Sequence, residues 1–401
     1  MALPTADITG SDFKARAYDY YAQLRAQAPV QPAKVLGQTA WLVSRYDDVA
    51  SLLKDARLAK DRHNAKGSRP FSRLPGVLGF LQAIERNMLD VDAPDHTRLR
   101  GLVHLAFTPR LVDRMRARIE GLSEELLARA MAKGTMDVIA DYALPIPLTV
   151  ISEMLGIPTA DQHRFHRWSS AIVASTAAPN LLRVLPAIWR FVRYLRKVIA
   201  SKRVRPQDDL ISALVQAEEA GERLREDELV AMVFLLVVAG HETTVNLIGN
   251  GVLALMQFPD QLERLRADPR LESTALEELL RFHSPVEVST ERFAREPLEI
   301  AGVTIPQGAL VYGLLSSANR DETQFDDPDR LDLGRQKNRH LAFGQGIHYC
   351  LGAPLARLEG QIALRRLLER MPGLRLAAPE STLRWRKGLN IRGLEALPVA
   401  W

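Results

Sequence analysis

The chain has 401 residues, 47% hydrophobic and 25% charged, a balance that supports a sizeable globular core. Its 53 basic against 48 acidic residues leave +5 spread along the whole length. That excludes a nucleic-acid-binding footprint and leaves room for a docking face toward an acidic protein. A single cysteine excludes an internal disulfide framework and a cysteine-built zinc or iron–sulfur site.

Met1 to Asp12 has neither a basic start nor an apolar core, so no signal peptide is expected. Tyr18 to Ala28 has helical spacing, with Tyr21 and Leu24 apolar, and stops at Pro29. Ala40 to Ser44 reads as a short strand, and Tyr46-Asp47-Asp48-Val49 opens a helix with carboxylates at its positive end. No phosphate-binding glycine loop follows a strand, so a nucleotide fold has no support. Residues 61 to 89 are broken by Gly67, Pro70, Pro75, Gly76 and Gly79, yet carry Phe71, Leu74, Leu78, Phe80, Leu81 and Ile84. Such an apolar loop is either a ligand-contact loop or ordinary packing cover. Asp90 to Arg100 then starts a helix that sets His96 and Arg100 one turn apart, a pair suited either to oxygen anions or to a solvated face.

From Leu111 to about Arg203 helices predominate, with breaks near Gly134, Pro145 to Pro147 and Pro158. Between Trp168 and Lys197, apolar Ile172, Leu185, Ile188 and Phe191 alternate with Arg183, Arg190, Arg193, Arg196 and Lys197. The cations fall largely on one helical face, read as a solvated surface over an apolar underside. The alternatives are a site for an anionic substrate or for an acidic carrier protein.

The strongest helix runs from about Leu224 to Gln257, roughly 50 Å at 1.5 Å per residue. Its first half is apolar on every face and is expected to be buried along its length. The longest apolar run, Leu229 to Gly240, falls short of the ~20 residues that span a bilayer, so the chain is expected to be soluble and cytoplasmic. In mid-helix, Ala239-Gly240-His241-Glu242-Thr243-Thr244 breaks local preference. Thr243 can bond back to the carbonyl of Ala239, opening a small polar notch; a packing kink is the other reading. Downstream, Glu278 and Arg281 form an E-x-x-R pair, a spacing that Glu222–Arg225 and Glu263–Arg266 share. Its apolar neighbours set it apart, because a buried pair needs a third group. Leu298 to Ile300 and Val303 to Ile305 read as a hairpin across Ala301-Gly302, and Leu374 to Val399 as short strands.

Near the C-terminus, Phe343-Gly344-Gln345-Gly346-Ile347-His348-Tyr349-Cys350-Leu351-Gly352 precedes a helical run to Met371 with Pro354 in its first turn. A sulfur at a helix N-terminus is favoured as thiolate. A lone cysteine is otherwise a small buried hydrophobe.

The pattern F-x-x-G-x-H-x-C-x-G resembles the haem-binding loop of the cytochrome P-450 family, whose proximal iron ligand is a cysteine thiolate. The A-G-x-E-T-T stretch is similar to that family's oxygen-binding helix, and the segments at 90–100, 278–281, 290–294 and 325–330 match in the same order. The resemblance covers essentially the whole chain. It implies a mainly α fold with small β-sheets, the family's triangular prism, in one domain spanning 1–401. Haem b (iron protoporphyrin IX) would lie between the long central helix and the helix of the cysteine, replacing the multi-domain expectation from length. It further implies Cys350 as the metal ligand, Glu242 and Thr243 as the proton-delivery pair for bound O2, and His96, Arg100, Arg292 and His348 on the propionates. Ala239, Phe343, Gly344, Gly352 and Ala356 would border the haem, and Glu278, Arg281 and Arg330 would brace its loop. Expected substrate contacts are Leu78, Phe80, Leu81, Ile172, Val238, Val286, Val288, Ser289 and Leu389, mostly apolar, so the substrate is expected to be a hydrophobic small molecule. Electrons are expected from a ferredoxin or flavodoxin-type donor with its reductase, with Arg98, Lys337, Arg339 and Arg357 as docking cations. The protein is expected to be a monomer that binds neither nucleic acid nor membrane, with a carrier-protein-bound substrate as the minor alternative. A peroxide-driven peroxygenase, a non-catalytic haem sensor and a haem-free helical protein are the competing readings; the Glu242–Thr243 pair argues against the first.

Overall fold

The computed structural model describes residues 7–65, 87–175, 181–219 and 222–401. The chain divides into two compact units, one of Met1–Gly67, Ile119–Pro145 and Thr243–Trp401, the other of Ser68–Arg118 and Ile146–Glu242.

The first unit is built around a five-stranded sheet. Val30–Val35 and Gln38–Val43 pair antiparallel with Val30 opposite Val43, and Leu310–Gly313 adds in parallel with Leu310 opposite Ala40. Arg292–Ala294 and then Leu58–Ala59 complete the order. Successive strand residues point to opposite faces, and both faces are covered. Val311 and Ala294 join a core with Val49, Leu52 and Leu315, while Leu310, Tyr312 and Phe293 join another with Tyr21, Leu24 and Leu42. Each fully buried aliphatic side chain there contributes roughly 1.5–3 kcal/mol before entropy is counted. The sheet therefore gives Arg292, at its strand's first position, a rigid mount.

In the same unit, the C-terminal half of helix Glu226–Gln257 is lined with residues such as Val245, Leu247, Ile248, Val252 and Leu255, all at most 2% exposed. Glycines let other elements approach closely. A Cβ on Gly360 would lie 2.8 Å from Leu247 Cδ2 and 3.0 Å from Leu276 Cδ1, and one on Gly249 would lie 2.3 Å from Ile139 Cδ1. Helix Ala353–Arg370 is thus packed tightly against both the long helix and helix Glu272–Phe282. The hairpin Leu298–Ile300 with Val303–Ile305 forms where the sequence places it.

The second unit is mostly helical: Asp95–Ala106, Pro109–Arg114, Thr159–Ser175, Leu181–Val204 and Leu210–Gln216, with the N-terminal half of Glu226–Gln257. Caps fix several starts, Thr108 accepting from the Leu111 amide and Asp209 from that of Ser212. Phe165, Phe191 and Phe234 stack at centroid distances of 5.2 and 5.9 Å in its core. The long helix runs unbroken through residues 242 and 243, where the units divide.

One expectation is corrected here. The first half of that helix is not buried along its length: Phe234, Leu235, Leu236, Val238 and Gly240 are half-buried and Ala239 is exposed. By length and composition the whole 32-residue helix could also cross a membrane, although 56% of its most apolar window is buried.

Candidate active site

The cysteine loop is shaped by backbone geometry that only glycine adopts readily. Gly344 and Gly346 have φ of 68° and 74°. A Cβ on Gly346 would also sit 2.8 Å from the Leu53 carbonyl oxygen. A 3-10 turn over Gly346–His348 closes with Tyr349 N donating to Gly346 O at 3.0 Å, and Cys350 N donates to Phe343 O at 3.0 Å. Helix Ala353–Arg370 starts just beyond, with Gly352 as N-cap and Pro354 in the first turn. Cys350 is half-buried, unlike a packing cysteine, and sits at the positive end of an 18-residue helix. Among the described residues, nothing beyond the chain neighbours lies within 4 Å of where a Cβ would be on Gly344 or Gly352, so no side chain crowds the loop on either side of the sulfur. One sulfur donor near a helix N-terminus, in a glycine cradle that keeps side chains away, fits a flat iron macrocycle.

Phe343 is held by its surroundings. The Arg357 guanidinium lies 4.5 Å from its ring centroid and Tyr349 packs edge-on at 6.4 Å. Arg357 grips Glu277 with Nε to Oε1 at 2.7 Å and Nη2 to Oε2 at 2.8 Å. Burial pushes the Glu277 pKa up, but hydrogen bonds from Arg357 and His340 outweigh it and hold the carboxyl down at about 2.

Below the loop, Glu278 and Arg281 are fully buried and doubly bonded, Nε to Oε2 and Nη2 to Oε1, both at 2.8 Å. Arg281 Nη1 also donates to the carbonyls of Asn319 and Pro328. The third cation is not Arg330, which is exposed and offers only its carbonyl to Arg281 Nη2 at 3.3 Å. It is Arg335, whose Nε lies 3.2 and 3.1 Å from the two Glu278 oxygens while Nη1 donates to Asp326 O. Arg330 lies in the turn itself, so its side chain leaves toward solvent; five residues on, Arg335 can fold back beneath it. Asn319 Oδ1 then accepts from Leu341 N at 2.7 Å, tying this network to the residues just before Phe343.

Among the cations, Arg292 is 4% exposed and donates from Nη2 to Leu53 O at 3.2 Å. His348 is half-buried on the cysteine loop. These two belong to the first unit and His96 and Arg100 to the second. Burial, then the charge of Arg100, hold the His96 imidazole below its ordinary pKa, so it is neutral at pH 7. Arg100 Nε donates to His104 Nε2 at 3.2 Å.

In the long helix, Ala239 is exposed, Glu242 and Thr243 are half-buried, and His241 Nδ1 is bonded to Val237 O at 2.9 Å. Sequence reasoning missed a residue here. Glu359 is fully buried in the cysteine helix and hydrogen-bonded to Thr244; burial pushes its pKa up to about 8, against the smaller lowering by Thr244. It is therefore predominantly protonated at neutral pH, a stored proton one residue from Thr243. A signal existed: Glu359 falls in the stripe Leu355, Leu358, Glu359, Ile362, at the spacing of a buried face.

The substrate residues are divided. Leu78, Phe80 and Leu81 lie outside the described residues. Ile172 is 4% exposed, and Val238 and Val286 are half-buried. Val288 and Leu389 lie in a core cluster with Tyr21 and Leu314. The Ser289 hydroxyl is taken by Gly313 N at 2.9 Å and Thr290 O at 3.2 Å. Alternation along a strand-like turn sent those side chains inward. Two of the docking cations are also already paired, Arg98 with Glu228 and Arg357 with Glu277, while Lys337 and Arg339 are exposed.

The family model described as Cytochrome P450 matches residues 18–372. Cytochrome P450 107B1 of Saccharopolyspora erythraea is 47% identical over 95% of this chain and 94% of its own length. The Bacillus subtilis polyketide biosynthesis cytochrome P450 PksS is 43% identical over 98% of this chain and 97% of its own. The solved structure of that PksS, from the bacillaene polyketide synthase, aligns with a TM-score of 0.92 over 99% of both chains at 41% identity. On these matches the chain belongs to the cytochrome P450 family.

Proposed function

We propose that Cys350 is the thiolate ligand of haem b in a monooxygenase that hydroxylates or epoxidises a hydrophobic secondary metabolite of polyketide-like size. The observation that carries this is the half-buried sole cysteine, in a glycine cradle at a helix N-terminus, anchored below by Glu278, Arg281 and Arg335. Haem held there would supply the activation of O2, one oxygen atom going to the substrate and the other leaving as water.

The chain's own residues do the rest. Backbone N–H groups of the loop and helix end moderate the charge of the Cys350 sulfur. Arg292, Arg100, His96 and His348 take the two propionates by charge-assisted bonds. Ala239, Phe343, Gly344, Gly352 and Ala356 would border the macrocycle. Glu242 and Thr243 pass protons toward the oxygen side. Glu359, held protonated beside Thr244, keeps a second carboxyl proton on the helix of the cysteine. Val238, Ile172, Val286 and the loop with Leu78, Phe80 and Leu81 bound the substrate.

Residues 1–401 act in this reading as one catalytic domain, monomeric and cytoplasmic. A ferredoxin or flavodoxin-type protein with its reductase supplies two electrons per turnover, docking near the exposed Lys337, Arg339, Ile347 and Tyr349. Reconstitution with such a donor, isotopically labelled dioxygen and a panel of macrolides and long-chain lipids tests it. One labelled oxygen atom in a product is expected; products formed with peroxide alone and never with dioxygen and electrons would replace this reading with a peroxygenase.

A further inference from the structure

Within the second unit, helices Thr159–Ser175 and Leu181–Val204 pack against each other and leave a groove of about 450 Å³. Arg164, Arg167, Trp168 and Ala171 form one wall and Ala187 and Arg190 the other. On the first helix these are positions i, i+3, i+4 and i+7, a single stripe. The two alanines keep the groove open where longer side chains would fill it. Trp168 is fixed by Tyr194 at a centroid distance of 5.7 Å.

Part of the charge on the basic helix is already compensated. Arg196 is paired with Asp227 and Arg203 with Glu226. Arg167 and Arg190 are exposed and, among the described residues, have no ion pair. Arg164 has, among the described residues, one ion partner, Asp161 at 3.7 Å, and that carboxylate also accepts from Tyr194 at 3.1 Å. Three guanidiniums against one carboxylate leave two uncompensated positive charges at one opening. Like charges at i and i+3 repel, and three forks facing a gap suit a tetrahedral oxyanion better than a planar carboxylate.

We propose that this groove is a subsite for a phosphate group carried on an extended ligand chain. The guanidiniums grip the phosphate oxygens, and the Trp168 ring with the two alanines takes the adjoining chain. The phosphate belongs either to a small molecule or to the phosphopantetheine arm of an acidic protein.

Calorimetric titration of the haem-loaded protein tests this, with inorganic phosphate and free phosphopantetheine as probes. Saturable binding is expected for both, tighter for phosphopantetheine. Arg167→Gln combined with Arg190→Gln is expected to weaken both by about tenfold or more, Arg167→Lys by less. Trp168→Ala weakens phosphopantetheine and leaves inorganic phosphate unchanged. Arg270→Gln, an exposed arginine outside the groove, changes neither, and circular dichroism confirms that the variants fold. No saturable binding, or binding untouched by the double substitution, overturns the proposal without bearing on the monooxygenase chemistry. A carrier protein bearing the arm that binds more tightly than the free arm assigns the phosphate to a protein; equal or weaker binding assigns it to a small molecule.

Discussion

Replacing Arg335 with Met removes the second guanidinium from Glu278 while keeping most of the side chain's volume. Glu278 is fully buried and Arg335 only 10% exposed, so the lost interaction is poorly screened. The carboxylate keeps Arg281 at 2.8 Å, the Asp332 amide at 2.9 Å and Asn338 Nδ2 at 3.1 Å. The cost therefore falls below the ~3–5 kcal/mol of a buried pair broken outright, at about 2–4 kcal/mol. Arg335 also releases the carbonyl of Asp326, which anchors the turn before the cysteine loop. Arg330→Ala removes an exposed side chain whose carbonyl alone is used, and is expected to cost no more than about 0.5 kcal/mol. Urea unfolding followed by circular dichroism, with haem release read in parallel, gives both values by linear extrapolation. An Arg330→Ala cost equal to that of Arg335→Met, or an Arg335→Met cost within the surface range, refutes the assignment of Arg335 as the third member of the brace.

Thr243→Ala is expected to leave substrate affinity unchanged while diverting electrons to hydrogen peroxide, measured as peroxide formed per reducing equivalent; unchanged coupling contradicts the proton-delivery role. The folded-state pKa of Glu359, about 8, lies above its unfolded value. The folded state thus binds the extra proton, and stability present at low pH is lost as pH rises through the unfolded and then the folded pKa. Glu359→Gln should become steadily more stable relative to the parent between pH 5 and pH 8, in urea midpoints taken across that range. A difference that does not change with pH removes Glu359 as a stored proton.

Local pattern made part of this site readable from sequence. Cys350 and its glycines, Glu278 with Arg281, and Glu242 with Thr243 each fall within ten residues of one another, and the helices carrying them show clear periodicity. What stayed hidden depends on how distant segments fold back. Arg330 and Arg335 are equally plausible by spacing, and only the turn between them decides which side chain points inward. Glu359 looks like an ordinary charge on a helix rich in arginine until Gly360 brings Leu247 and Leu276 against that face. Val288, Ser289 and Leu389 sit in short segments whose alternation has no fixed phase without their partners, the bridges Val288 to Leu314 and Val286 to Ile391. Ala239 shows the reverse: composition predicts burial, and the chain leaves it exposed.

Thiolate ligation by Cys350 is the claim on which every other role rests, and the absorption spectrum of the dithionite-reduced protein under carbon monoxide tests it most directly. A strongly red-shifted Soret band is expected in the parent protein and its loss in Cys350→Ser. A histidine-like spectrum in the parent, or a red-shifted band that survives Cys350→Ser, would contradict the account.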